Sequence, residues 1–233
     1  MSSQILQVKN LSVKLDNEII INNLSFSVNS GDFLTILGPN GSGKTVLLKT
    51  LLNLIPHQSG EIKWKESVKI GYLPQGLTQL KFKSIPLSVK EFLMLKKIPL
   101  AEIYSLMKMV GIKDEKVLTK QLGKLSGGQF QRILMIWALA DNPDVLLFDE
   151  PTTGVDVHGE KTVYELLSKL QKTKNMTIIL ITHDFSVVYK YSTGVLCMSK
   201  ENSCQTTPAE ALTTKKLEEI YGMPVKLYQH NHH

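Results

Sequence analysis

The chain has 233 residues, 42% of them apolar and 21% charged, and a net charge of +6 that suits nucleotides, anionic headgroups or nucleic acid without choosing among them. That length holds one α/β domain with a sizeable core and room for an inserted subdomain; no apolar run reaches the ~18 residues that would span a bilayer and no leader opens the chain, so a cytosolic protein is expected. Two cysteines, Cys197 and Cys204, do not make a disulfide framework, and their spacing matches no common zinc motif.

In chain order, residues 5–28 carry strand patterns. Leu11, Val13 and Leu15 alternate with polar residues, and so do Leu24, Phe26 and Val28, with a turn at Asp16-Asn17. This predicts an antiparallel β region. Asn29 to Asp32 turns the chain into Phe33–Leu37, which reads as a buried strand. Gly38, Pro39, Asn40, Gly41, Ser42, Gly43, Lys44 and Thr45 follow, and then a helical stretch, Val46 to Leu52. Strand, glycine loop and helix turn this G-x-x-x-x-G-K-[ST] match into a phosphate site. Glycines let successive N–H groups converge on an anion, and the helix start adds partial positive charge. Lys44 would reach the β and γ phosphates and the Thr45 hydroxyl would ligate Mg²⁺.

Two short strands are predicted over Gly60–Trp64 and Lys69–Leu73, ending at Pro74-Gln75. Helices follow. Ser88 and Glu91 form a capping box with Leu87 and Phe92 placed as its staple, so a helix starts at Val89. Ile103, Leu106, Met107 and Val110 mark an amphipathic helix stopping near Gly111. Another helix follows Leu125-Ser126-Gly127-Gly128-Gln129. Val145–Phe148 and Met176–Ile181 read as buried parallel strands, ending in Asp149-Glu150 and Thr182-His183.

Asp149 ends a buried strand, where a carboxylate can bind Mg²⁺ opposite Thr45. Glu150 comes next and can orient and deprotonate a water. Ser126 and Gln129 form a second capping box, which puts Gly127 and Gly128 in the first helical turn. Each glycine costs ~1 kcal/mol there against alanine, so a helix start serving structure alone would not use two. Bare N–H groups at a helix start bind anions. Two phosphate-binding helix starts and one nucleotide loop suggest a dimer, in which this loop of one chain closes on the nucleotide of the other.

Together these motifs resemble the nucleotide-binding subunit of ABC transporters. Gly38 to Thr45 match Walker A, Leu125 to Gln129 the signature, and Val145 to Glu150 Walker B with its catalytic glutamate. Gln75 stands at the Q-loop, Gly154-Val155-Asp156 at the D-loop and His183 at the switch histidine. The order is the family's and covers nearly the whole chain. The resemblance implies the ABC ATPase fold: an α/β P-loop NTPase core with a mostly parallel sheet, an N-terminal antiparallel β subdomain and an inserted α-helical subdomain. It implies one domain over 1–233. Within it, 1–75 hold the β subdomain and Walker A core, 76–135 the helical subdomain with the signature, 136–220 the rest of the core, and 221–233 a histidine-containing tail.

The resemblance also implies ATP and Mg²⁺ as cofactors, with Thr45, Gln75 and Asp149 around the metal and Glu150, His183 and Gln75 in catalysis. Two ATP molecules would lie in a head-to-tail dimer, each between Walker A of one chain and Ser126, Gly127, Gly128 and Gln129 of the other. Gln75 and the helices after it would grip an integral membrane permease, which places the subunit on the cytoplasmic face of the membrane. Ile70 to Gln75, Pro86 to Val89 and Pro151 to Asp156 resemble the branch that imports divalent metals, zinc importers most and manganese importers next. A periplasmic or surface metal-binding protein would then be an indirect partner. That branch can carry C-terminal histidines, as His230, His232 and His233 do here. The competing reading is a soluble ABC ATPase acting on DNA or ribosomes. Those families generally join two cassettes or split one with a long coiled coil, whereas this chain has one compact cassette, and no nucleic-acid partner is expected. One departure stands out. Most ABC ATPases stack adenine on an aromatic residue in the first hairpin. Here Leu11 to Ile21 contains none, and Leu15 takes the position.

Overall fold

The computed structural model describes residues 3–150, 157–199 and 203–224. The D-loop residues 154–156 and the tail histidines lie outside the described residues. Contacts gather the chain into two compact units, Met1–Lys65 with Leu180–His233, and Glu66–Ile179.

The first unit opens with β1 (Gln4–Leu15) and β2 (Glu18–Asn29), an antiparallel pair. They turn through Asp16-Asn17, whose φ values of 45° and 69° are both positive. That is the mirror-image turn whose twist matches the strands it joins. The predicted alternation holds: Leu11, Val13, Leu24, Phe26 and Val28 are buried, while Leu15 at the hairpin end is half-buried. β3 (Phe33–Leu37) is buried at all five residues. The helix after the glycine loop, α1 (Lys44–Leu51), begins two residues earlier than the apolar run predicts. β4 (Ser59–Trp64) pairs with the other edge of β1 and completes a three-stranded sheet.

In the second unit β5 (Ile70–Leu73) leads to a helical segment. Ser88 caps α2 (Val89–Met94) in a complete capping box with Glu91. α3 (Leu100–Met109) buries Ile103, Leu106 and Met107 and ends at Gly111, whose φ of 77° a glycine adopts without strain. Ser126 caps α4 (Gly127–Leu139) in the second predicted box. Phe92 stacks on Trp137 at 4.4 Å between ring centroids, with Lys96 Nζ 4.8 Å over the Trp137 ring, which ties α2 to α4. α4 also lies tight on β5, since a Cβ on Gly71 would stand 2.4 Å from the Ala138 carbonyl oxygen. β6 (Val145–Asp149) is wholly buried and parallel to β5. α5 (Val157–Lys174) leads to β7 (Thr177–Ile181), also wholly buried, on the other side of β6.

The last two residues of β7 begin the return to the first unit. There α6 (Phe185–Tyr191), β8 (Gly194–Met198), β9 (Ser203–Thr206), α7 (Pro208–Ala211) and α8 (Thr214–Tyr221) follow in turn. β8 runs parallel to β3 and antiparallel to β9. Leu37, Val188, Val195, Cys197, Ala211 and Ile220 bury one another at this end of the unit.

Candidate functional site

The glycine loop is shaped by what surrounds it. A Cβ on Gly38 would lie 2.0 Å from the Met198 carbonyl oxygen and 2.7 Å from Ser42 Oγ. Gly43 has φ 90°, and a Cβ there would lie 3.0 Å from Ile20 Cγ2. Only bare backbone fits at both places. The loop also folds on itself. The Ser42 N–H donates to the Pro39 carbonyl at 3.2 Å, and Lys44 Nζ donates to the carbonyls of Gly38 at 2.8 Å and Pro39 at 2.9 Å. Lys44 is 7% exposed, so its ammonium is held in the curl. No acidic side chain stands in the first turn of α1, so none of its own carboxylates offsets the positive helix end.

Ser42 Oγ is buried with no hydrogen-bond partner among the described residues. Leaving a buried hydroxyl so costs on the order of 1–3 kcal/mol, which an acceptor oxygen brought by a ligand would recover. Thr45 is half-buried on the same turn. Cradle, ammonium, orphan hydroxyl and helix start fit a polyphosphate. The Tyr221 hydroxyl on α8 lies against the Gly38 backbone, and burial holds its phenol above the ordinary pKa.

The second unit carries the acids. β5 and β6 pair in a constant register from Ile70↔Val145 to Leu73↔Phe148. Parallel strands in register end at the same level, and two residues on, Gln75 Nε2 donates to Glu150 Oε2 at 2.5 Å. Glu150 takes a left-handed backbone, φ 47°, where a residue without glycine's freedom is held by its surroundings. Asp149 is 1% exposed. Its negative charge is felt at Tyr72, whose phenol is pushed up to about 12 by burial first and Asp149 second.

The signature serine sits elsewhere in this unit. Ser126 Oγ accepts from the Gln129 N–H, and Gln129 Oε1 accepts from the Ser126 N–H, both at 3.2 Å. Ser126, Gly128, Gln129 and Arg132 line a cavity of about 470 Å³ whose other walls are Gly111 to Asp114 and Val117; neither Gln75 nor Glu150 lines it. Arg132 fixes this corner by donating to the carbonyls of Val110 at 2.8 Å and Gly111 at 3.1 Å. A Cβ on Gly128 would meet nothing within 4 Å, so packing among the described residues does not explain this glycine.

His183 is exposed just after β7, in the first unit. Beside it Asp184 caps α6 by accepting from the Ser186 N–H at 2.8 Å. Sequence reasoning missed Ile20, Met198 and Tyr221, which touch the glycine loop. The first lies in a strand read only for its alternation. The other two come from elements for which no motif spoke.

A profile of the ABC transporter family matches residues 21–153. The chain belongs to the ABC transporter family. The ABC profile takes in the glycine loop, Gln75, the signature and Glu150, and leaves Leu15 and His183 outside. Among relatives of this ABC protein, one from Thermotoga maritima named for a metal transport system ATP-binding role is 38% identical, covering 94% of this chain and 90% of its own. A zinc import ATP-binding protein ZnuC of Buchnera aphidicola subsp. Schizaphis graminum is 34% identical over 98% of this chain and 97% of its own. A chain of a structure described as an inward-facing, metal-chelate type ABC transporter superposes with a TM-score of 0.83, at 27% identity, covering 95% of this chain and 90% of that one. As an ABC ATP-binding protein the chain is an ATPase, with the P-loop ABC fold that its sheets and helices build.

Proposed function

We propose that this chain is the ATP-hydrolysing motor of an importer for a divalent metal ion, zinc first and manganese next. The reading of the ion draws on near full-length similarity to proteins named for zinc import and metal transport. The observation that carries the hydrolytic part is the Gln75–Glu150 bond at paired strand ends. It orients a carboxylate directly after the buried Asp149.

Backbone N–H groups from Gly38 to Thr45, with Lys44, hold the phosphates and neutralise charge as it develops on them. Thr45, Asp149 and Gln75 would hold Mg²⁺, which when bound supplies positive charge to the phosphate oxygens. Glu150 accepts the proton of the attacking water, and Gln75 keeps its carboxylate aimed. His183 acts on the γ phosphate from the loop after β7. Leu15 covers the base by apolar contact.

Ser126, Gly127, Gly128 and Gln129 act on the nucleotide of a second copy. The open space at Gly128 and the separation of the Ser126 cavity from the strand-end pair support this. Leu80, Ile85, Met94 and Leu95 expose apolar surface after Gln75, which supports docking of the permease there. Among the described residues no helix is long and apolar enough to cross a membrane. The subunit works on the cytoplasmic face, and a periplasmic or surface protein delivers the ion to the permease.

The test is growth. Deleting the gene should stop growth under metal chelation, with zinc the best rescue and manganese second. Rescue by a sugar or amino acid, with neither metal effective, would overturn the assignment.

A further inference from the structure

We propose that Cys197 and Cys204 close into a reversible cross-strand disulfide under mild peroxide oxidation, Cys204 reacting first, and that the bridge changes nucleotide binding at the glycine loop. The second half rests on the nucleotide reading above.

The register of β8 and β9 sets the two cysteines directly opposite one another. Residues paired this way share a face, with Cα atoms about 4.5 or 5.5 Å apart. Both separations fall within the ~4.4–6.8 Å that a disulfide spans. Both thiols are free. Among the described residues no group of three or more His, Cys, Asp and Glu gathers around the pair.

The two sulfurs are unlike. Cys197 is 2% exposed in the apolar cluster with Leu37, Val195 and Ala211. Burial first, then Cys204, push its thiol up to about 12, so it stays protonated. Cys204 is half-buried. Cys204 is therefore the sulfur that an oxidant in solution reaches first. On α8, Glu219 first, with its Oε2 at 3.0 Å, and then Cys204 hold the Lys216 ammonium above its ordinary pKa.

The chemistry balances with a peroxide as oxidant. The Cys204 thiolate attacks one peroxide oxygen, the O–O bond breaks, and the departing hydroxide takes a proton to leave as water. Cys204 is then a sulfenic acid. The Cys197 sulfur attacks Cys204, the S–S bond forms, the S–O bond breaks, and the Cys197 proton leaves with the hydroxide as a second water. Two thiols lose two electrons and one peroxide gains them.

The bridge lies one strand from the loop. Cys197 pairs with Leu37, the residue before Gly38. The next residue, Met198, supplies the carbonyl that crowds Gly38. Tyr221 lies against the Gly38 backbone. Drawing Cys197 toward Cys204 therefore moves atoms that define the cradle.

The test uses the full-length chain and stoichiometric hydrogen peroxide. The intact mass should fall by two hydrogens, both thiols should resist alkylation, and dithiothreitol should restore them. Cys197→Ser should stop at a sulfenic acid that dimedone traps, and Cys204→Ser should leave Cys197 alkylatable after denaturation. Thermal melts of both variants under reducing conditions establish that they fold, and the wild-type mass shift tests the proposal without them. Two free thiols after treatment, a bridged dimer on a non-reducing gel, or dimedone labelling of Cys197 in Cys204→Ser would overturn the chemistry. ATP titration of oxidised and reduced wild type should give affinities at least about fivefold apart, the lower end of typical site-to-site coupling. Equal affinities would overturn the link to the loop, whereas failure of the reduced protein to bind ATP at all would instead overturn the nucleotide reading.

Discussion

Gly128→Ala separates what the fold needs from what the reaction needs. Gly128 is the second residue of α4, and a methyl group there would meet nothing within 4 Å. Alanine is the better helix former by about 0.5–1 kcal/mol. With no collision to offset that gain, the variant should be more stable than the wild type. For a chain of this size, that gain raises the melting temperature by about 1–4 °C. Hydrolysis should fall. If the bare backbone at Gly128 faces the phosphates bound by a second copy, a methyl group holds the N–H off. Losing one such donor costs about 10²–10³-fold in rate. The assay pairs a thermal melt of the nucleotide-free protein with steady-state phosphate release at saturating MgATP. Wild-type turnover with a raised melting temperature would mean the signature glycines serve no second nucleotide. A melting temperature lowered by several degrees would mean that the space over Gly128 is filled.

Glu150→Gln should keep ATP binding and lose hydrolysis by about 10²–10⁴-fold, because the amide still accepts from Gln75 but takes no proton; an ATP-bound dimer of doubled mass should accumulate in light scattering, and normal turnover would remove Glu150 from the chemistry. Ser126→Arg should bind ATP as a monomer yet fail to hydrolyse it. Mixing it with Lys44→Ala restores one intact composite site, so ATP-driven pairing should return, and its absence at high concentration would count against action in trans. Leu15 offers the base no π surface, and base stacking on an aromatic is worth ~1–3 kcal/mol. GTP should therefore be hydrolysed within about tenfold of ATP, and Leu15→Tyr should tighten ATP binding by a similar factor; a hundredfold preference for ATP that Leu15→Tyr leaves untouched would place the base elsewhere.

Features set by neighbours in sequence were legible in the sequence. Both capping boxes, Ser88 with Glu91 and Ser126 with Gln129, form as spaced, because a cap joins residues three apart whatever lies around them. β3 matched its run, interrupted only by Thr35, and β6 extends its run by Asp149, since a short stretch so rich in Val, Leu, Ile and Phe is satisfied by burial on both faces. Asp16-Asn17 turns because those residues tolerate positive φ. Tertiary structure decided everything that depends on register between distant strands. No motif marked Gly194–Met198 or Ser203–Thr206, yet the pairing of β8 with β9 sets Cys197 against Cys204, and that of β8 with β3 sets Met198 against Gly38. Gln75 and Glu150 were each legible as motif residues, but their bond exists because β5 and β6 pair in one register out of several. A one-residue slip would point every side chain of a strand to the other face, and that choice is made by the packing of the whole unit, which no local pattern encodes.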